Sequence, residues 1–231
     1  MDRKTSLINT LKWYDHLVNK LRIRYMVCTR DYYYIELDCE TSTKMCKKIK
    51  QELEKKCDKK HRFQVVTLSI QGHKDTSNKD FLHRNALIVD HKKKEFERFE
   101  PNGSMPYDST IDEILNTDFR NDFGLHGYTY IKPEDYCPRL GPQKTLRGTK
   151  LVSSCIIWSL WYIEQRLSNP DKDKYDIVDE VLSHGPEYTM QIVENYIEEL
   201  NDLNIIVNMP LQLQAYKTHL KEKRNRIHLL L

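Results

Sequence analysis

No Cys-x-x-Cys pair occurs among the six cysteines (Cys28, Cys39, Cys46, Cys57, Cys137 and Cys155), and no two cysteines or histidines at finger-like spacing stand beside a second such pair. Structural zinc of the finger type is thereby disfavoured. A chain of 231 residues can bury a core without disulfide staples, so the scattered thiols point to a reducing, intracellular compartment. No run approaches the roughly 20 apolar residues that a membrane-spanning helix needs. The opening segment MDRKTSLINTLKWYDHLV lacks the uninterrupted apolar stretch of a signal peptide. Neither sign of charge prevails: 37 basic residues face 34 acidic ones, a net charge of +3, which leaves no overall field demanding nucleic acid or an anionic membrane. Internal repeats, low-complexity tracts and cofactor-binding motifs are absent too, so no cofactor is expected.

What is present reads as one folded unit. Hydrophobic residues make up 39% and charged residues 31% of the chain, too apolar a balance for a disordered protein. Leu7, Leu11, Tyr14, Leu17, Val18, Leu21 and Tyr25 recur at helical spacing, which predicts an amphipathic helix opened by Thr5 or Ser6. DYYYIELD is β-prone, the lysine-rich stretch from about Ser42 to Lys56 reads as a helix, and FQVVTLSI (Phe63 to Ile70) as a buried strand. NALIVD and EFERFE follow as two strands around a basic turn, His91 to Lys94. Asp112 to Phe119 reads as helix and YTYI as strand. A Gly-Pro loop then leads into a helix from about Ser154 to Leu167, with Ile156, Leu160, Ile163 and Leu167 on one face and Asn169-Pro170 as its stop. The remainder, including the basic C-terminal segment, has helical periodicity. The expected architecture is therefore α+β: a central mixed, mostly antiparallel sheet enclosed by helices, in a single domain 1–231. Within it, 1–60 forms a mainly helical N-terminal region, 61–170 the core and 171–231 a C-terminal helical region.

Four residues in that core have the makings of a reactive centre. Cys155 opens a helix behind Ser153 and Ser154, which are good capping residues, and the positive end of the helix dipole favours the thiolate. A reactive thiolate needs a base, a group to orient the base, and donors for the oxyanion it generates. His83 stands near the start of one strand and Glu100 at the end of the next, so an antiparallel hairpin turning at His91 to Lys94 brings them together. Asp90, the competing carboxylate, lies at the far end of the His83 strand. Gln143, in the Gly-Pro loop, can donate its side-chain amide, with the Cys155 backbone N–H as a second donor.

The order of HRNALIVDHKKKEFERFEPNGS, LGPQ and CIIWSLWYIEQRLSNP resembles the adenovirus-protease and ubiquitin-like-protein-protease group of cysteine peptidases, most of all versions encoded by large nucleocytoplasmic DNA viruses. The resemblance spans Leu82 to Pro170. It implies a papain-like core with the nucleophile at a helix N-terminus, in which Cys155 is the nucleophile, His83 the general base, Glu100 its orienting carboxylate and Gln143 the oxyanion donor. It also implies cleavage after small, Gly-type residues, either in viral structural precursors or at the C-terminus of ubiquitin-like modifiers. Such an enzyme would act in the host cytoplasm or the virion. This chain departs from the group's pattern at Arg84, where tryptophan is frequent, and at Ser153 and Ser154, where glycine is. Two other readings keep the resemblance: a YopJ-type acetyltransferase, or an inactive module that binds a modifier or capsid protein. Lys217, Lys221, Lys223, Arg224 and Arg226 give the C-terminal segment a basic face that could make a weak nucleic-acid contact.

Overall fold

A computed structural model of the chain describes residues 10–21, 27–39, 46–54, 60–74, 81–103, 105, 108–137, 140–146 and 154–205. The element order is α1 (Thr10–Leu21), β1 (Val27–Cys39), β2 (Cys46–Glu54), β3 (Phe63–Lys74), β4 (Phe81–Asp90), β5 (Glu95–Phe99), α2 (Asp108–Ile114), a π-helical turn (Leu115–Phe119), α3 (Arg120–Asp122), β6 (Thr129–Ile131), a 3₁₀ turn (Pro133–Asp135), α4 (Pro142–Thr145), α5 (Cys155–Ser168), α6 (Lys174–Leu182) and α7 (Gly185–Asp202). The strands form one mixed sheet in the order β2-β1-β3-β4-β5-β6. β1 pairs with β3, and β5 with β6, in parallel; the other pairings are antiparallel. The class is α+β, as expected. Among the described residues, no helix is long and apolar enough to cross a membrane.

Strand alternation divides the core in two. Phe63, Val65, Ala86, Ile88 and Phe99 face the side covered by α1, α5, α6 and α7. Val66, Leu68, Ile70, Leu87, Val89 and Phe96 face Ile111, Ile114, Leu115 and Phe119 of the α2 segment. Because α5 lies between the sheet and its partner helices, it is buried almost all round. Ile157 to Glu164, Arg166 and Leu167 are all buried, whereas Ile156, assigned to the buried face by periodicity, is only half-buried. Phe99 stacks on Tyr162 of α5 with ring centroids 4.1 Å apart.

The sequence reading misplaces two N-terminal features. Residues 46–54 are a strand, where a helix over Ser42 to Lys56 was expected, so among the described residues before residue 60 strand outweighs helix. Lysine, glutamate and glutamine favour helix locally, but β1, paired on its other side with β3, offers a free edge of N–H and C=O groups that β2 covers. In α1, Trp13 and Leu17 are fully buried, and Trp13 donates its indole N–H to Tyr196 Oη at 3.0 Å. The apolar stripe read from the sequence leaves Trp13 out. Thr5 and Ser6 lie outside the described residues, as does the basic segment beyond residue 205.

A buried ion pair ties α5 to the sheet. Arg166 Nε donates to Glu97 Oε1 at 2.7 Å, with both side chains almost wholly inaccessible. Tyr162 Oη also donates to Glu97 Oε1, at 2.9 Å. Arg166→Met should destabilise the fold by about 3 kcal/mol, the lower end of the cost of stranding one partner of a buried pair. The lower end applies because Tyr162 and Lys174, whose Nζ is 3.5 Å from Glu97, remain. A thermal melt should fall by roughly 6–12 °C.

Candidate active site

The β4–β5 hairpin sets the site. Its register runs from Asp90↔Glu95 to Ala86↔Phe99, and one further step puts Glu100 opposite Asn85. Asn85 and His83 are two residues apart and share a face, so a carboxylate across from Asn85 reaches both. Glu100 Oε1 lies 2.7 Å from His83 Nε2, and Oε2 accepts from Asn85 Nδ2 at 3.0 Å. The Asn102 backbone N–H donates to Oε1 at 2.9 Å. Glu100 is completely buried, yet both oxygens are satisfied. Asp90 sits at the other end of β4, where it accepts from the backbone N–H groups of Lys92 and Lys93 and pairs with Arg62. Seven residues of strand, roughly 23 Å at ~3.3 Å per residue, separate it from His83.

By strand parity His83 and Glu100 belong to the α2 side of the sheet, while α5 packs on the other. The two meet where the first turn of α5 abuts the backbone of β4. Ser159 Oγ donates to the Arg84 carbonyl at 3.2 Å, and the Arg84 backbone N–H donates to the Cys155 sulfur. His83 hydrogen-bonds that sulfur too. Since Nε2 faces Glu100, Nδ1 is the ring nitrogen left for it. Cys155 is the first residue of α5. Ser154 occupies the N-cap position expected of it, but its side chain makes no capping bond; its carbonyl accepts from Trp158 N–H at 3.0 Å. Ser153 lies outside the described residues.

Electrostatics sort the protons. Burial alone would strip His83 of its charge, but the Glu100 carboxylate and the Cys155 sulfur overcome it and hold the imidazole protonated up to about 10. Burial likewise opposes a Cys155 thiolate, and the His83 hydrogen bond and charge outweigh it, so the thiol lies below its ordinary range. Both shifts favour the thiolate–imidazolium form of the pair. Cys137 shows the contrast. Its sulfur donates to the Glu100 carbonyl at 3.8 Å, and burial with the nearby Glu100 charge outweighs the opposing Arg98 charge and pushes it up to about 12.

Gln143 arrives by a different route. Its loop is zipped to the turn that follows Glu100: Gly141 N–H donates to the Asn102 carbonyl at 3.0 Å and Gln143 N–H to the Pro101 carbonyl at 2.9 Å. The fit leaves no room for a side chain at Gly141. A Cβ there would lie 2.4 Å from both Gly103 N and Pro101 O. The FEPNG turn and the LGPQ loop are thus one unit, with α4 packed on α5 and the Gln143 side chain buried. His83 bonds both Glu100 and Cys155, and Gln143 is anchored to the turn beside Glu100. Asn85 and Arg98, on which Glu100 rests, were not singled out from the sequence, because a polar residue in a strand carries no signal of burial. No group of three or more His, Cys, Asp or Glu side chains suited to a metal ion occurs among the described residues.

Comparison with known proteins places the chain among distant neighbours. No family model matches it. It is 29% identical over 145 residues to a protein of Acanthamoeba polyphaga mimivirus described as an ankyrin repeat protein, L371, in an alignment covering 52% of this chain and 19% of that protein. The chain therefore spans about a fifth of the length of the curated relative it matches. Its fold is similar to that of ChlaDub1 from Chlamydia trachomatis, with a TM-score of 0.44 and 11% identity over 66% of this chain and 65% of the other. It is similar also to the Chlamydia trachomatis effector protein Cdu1 bound to ubiquitin, with a TM-score of 0.42 and 13% identity over 64% and 65% of the two chains.

Proposed function

We propose that this chain is a cysteine peptidase that uses Cys155 as nucleophile, His83 as general acid and base, Glu100 to orient and stabilise the imidazolium, and Gln143 with the Cys155 backbone N–H as oxyanion donors. The observation that carries the reading is the contact of Cys155 with an imidazole whose other nitrogen is held at 2.7 Å by a buried carboxylate. A structural cysteine needs no such partner, and a buried His–Glu pair at a helix terminus is costly to keep unless its charge is used. The thiolate attacks the scissile carbonyl carbon, and the oxygen takes up the displaced electron pair. As the tetrahedral species collapses, the C–N bond breaks and His83 gives its proton to the leaving amine. Water, deprotonated by the now neutral His83, then attacks the thioester; the acid product leaves and the thiolate–imidazolium pair is restored.

The substrates we propose are proteins cut after a small residue, either the C-terminus of a ubiquitin-like modifier or a viral structural precursor. Mass spectrometry of modifiers and precursors incubated with the protein should show a new C-terminus at a small residue, absent with Cys155→Ala. Cleavage by both proteins would refute the role of the thiol. The shared FEPNG–LGPQ unit yields a further expectation. Gly141→Ala must push the loop off the turn because the obstructing atoms are backbone. kcat should fall about 10²-fold, the usual result of a misplacement of about 1 Å near the chemistry.

A further inference from the structure

The peptidase chemistry uses one side of Glu100; the other side is held by groups it does not use. Asn85 is 1% exposed and Arg98 fully buried. Arg98 Nη1 donates to Asn85 Oδ1 at 3.0 Å, and Asn85 Nδ2 donates to Glu100 Oε2 at 3.0 Å and to the Arg84 carbonyl at 3.0 Å. A guanidinium can only donate, so the amide oxygen must face Arg98 and the amide N–H₂ must face Glu100. Arg98 is itself fixed: Nη2 donates to Asp108 Oδ1 and Asp112 Oδ1, both at 2.9 Å, and Nε to Asp112 Oδ1 at 3.1 Å. Tyr130 Oη donates to the same Asp112 oxygen at 2.6 Å.

We infer that Asn85 and Arg98 are positioning residues for the site: Arg98, clamped by α2, fixes the Asn85 amide, and Asn85 turns the Glu100 carboxylate so that Oε1 meets His83. The inference rests on the peptidase reading. Without the donor on Oε2, the carboxylate keeps only the Asn102 N–H and His83 on Oε1 and the Arg98 charge 3.6 Å from Oε2, so it is less firmly oriented and more easily protonated. Either change weakens its hold on the imidazolium and, through that, on the thiolate. The charged and titratable groups around Glu100 and His83 are Cys155 from α5, Arg98 from β5, Asp108 and Asp112 from α2, Tyr130 from β6, and Cys137. Among the described residues, Arg98 and Asn85 join the α2 acids to the Glu100 carboxylate through a continuous run of hydrogen bonds.

The test needs no substrate. The alkylation rate of Cys155 by iodoacetamide is followed by mass spectrometry of the full chain at pH 6 and pH 9, with Cys137 as the internal reference for unfolding. In Asn85→Leu the pH 6 rate should fall about two- to threefold relative to wild type, the effect of a one-unit rise in thiol pKa on a rate near its plateau, while the rates at pH 9 converge. In a Glu100→Gln background the same change should add nothing, because the carboxylate through which Asn85 acts has lost its charge. Should Asn85→Leu expose Cys137 to alkylation, Arg98→Lys, which keeps the charge but loses the fork, decides by the same ratio. A pH 6 to pH 9 ratio equal to wild type, or an additive effect with Glu100→Gln, overturns the inference and leaves the peptidase reading intact. A wild-type Cys155 that titrates like an ordinary thiol overturns both.

Discussion

Cys155→Ala should reduce turnover to the detection limit, at least about 10³-fold, while the melting curve stays close to that of the wild-type protein. Among the cysteine side chains that the structure describes, the other one, Cys137, offers no substitute nucleophile: it is buried and held protonated to about 12. Its sulfur also points at the Glu100 carbonyl. The fold should tolerate the change because the side chain lost is small and lies at a helix terminus, and α5 is fixed elsewhere through Arg166, Tyr162 and Trp158. A stability change within about 1 kcal/mol is expected. Retained turnover would place the chemistry elsewhere, and loss of turnover accompanied by unfolding would make Cys155 a structural residue.

Gln143→Ala should lower kcat by roughly 10²–10³ with little change in KM, the usual consequence of removing one oxyanion donor. The donor acts on charge that develops in the transition state, so substrate binding has little to lose. The loop should survive, since the backbone N–H groups of Gly141 and Gln143 attach it to the turn and are kept in the variant. Steady-state kinetics on any cleaved substrate separate the two parameters. A rise in KM with kcat unchanged would make Gln143 a binding residue, and the oxyanion assignment would be wrong.

The hairpin that joins His83 to Glu100 could be read from the sequence because it is local: two β-prone runs, a basic turn and a period of two determine which residues share a face. The extent of α5 was equally legible, since the serines before Cys155 mark its start, a long apolar pattern its length and Asn169-Pro170 its stop. Residues 46–54 were misread because their helix-forming composition says nothing of the open edge of β1 to which they bind. Trp13 escaped because its burial depends on Tyr196, 183 positions away. Arg98 and Asn85 escaped for a related reason. The acids that neutralise Arg98 lie in α2, beyond the FEPNG turn, and their pairing arises only when that helix closes over the sheet. A glutamate at a strand end can be guessed as an orienter; what holds it in place cannot be guessed from spacing.

The pH dependence of the site follows from the same contacts. His83, its proton held up to about 10, contributes stability that is complete below its ordinary value of 6.5 and is lost as pH rises through about 10. Glu100, shifted below its ordinary value of 4.5, contributes stability present above that value and lost as pH falls through its lowered one. Between those limits the charged His83 favours the Cys155 thiolate. The most direct measurement is the rate of Cys155 alkylation across pH 5 to 10 in the wild-type protein and in His83→Ala. The account predicts a wild-type rate already near its plateau at pH 6, and a His83→Ala rate that rises only toward the ordinary thiol range of about 8.5. Superimposable curves, both rising near that value, would contradict it.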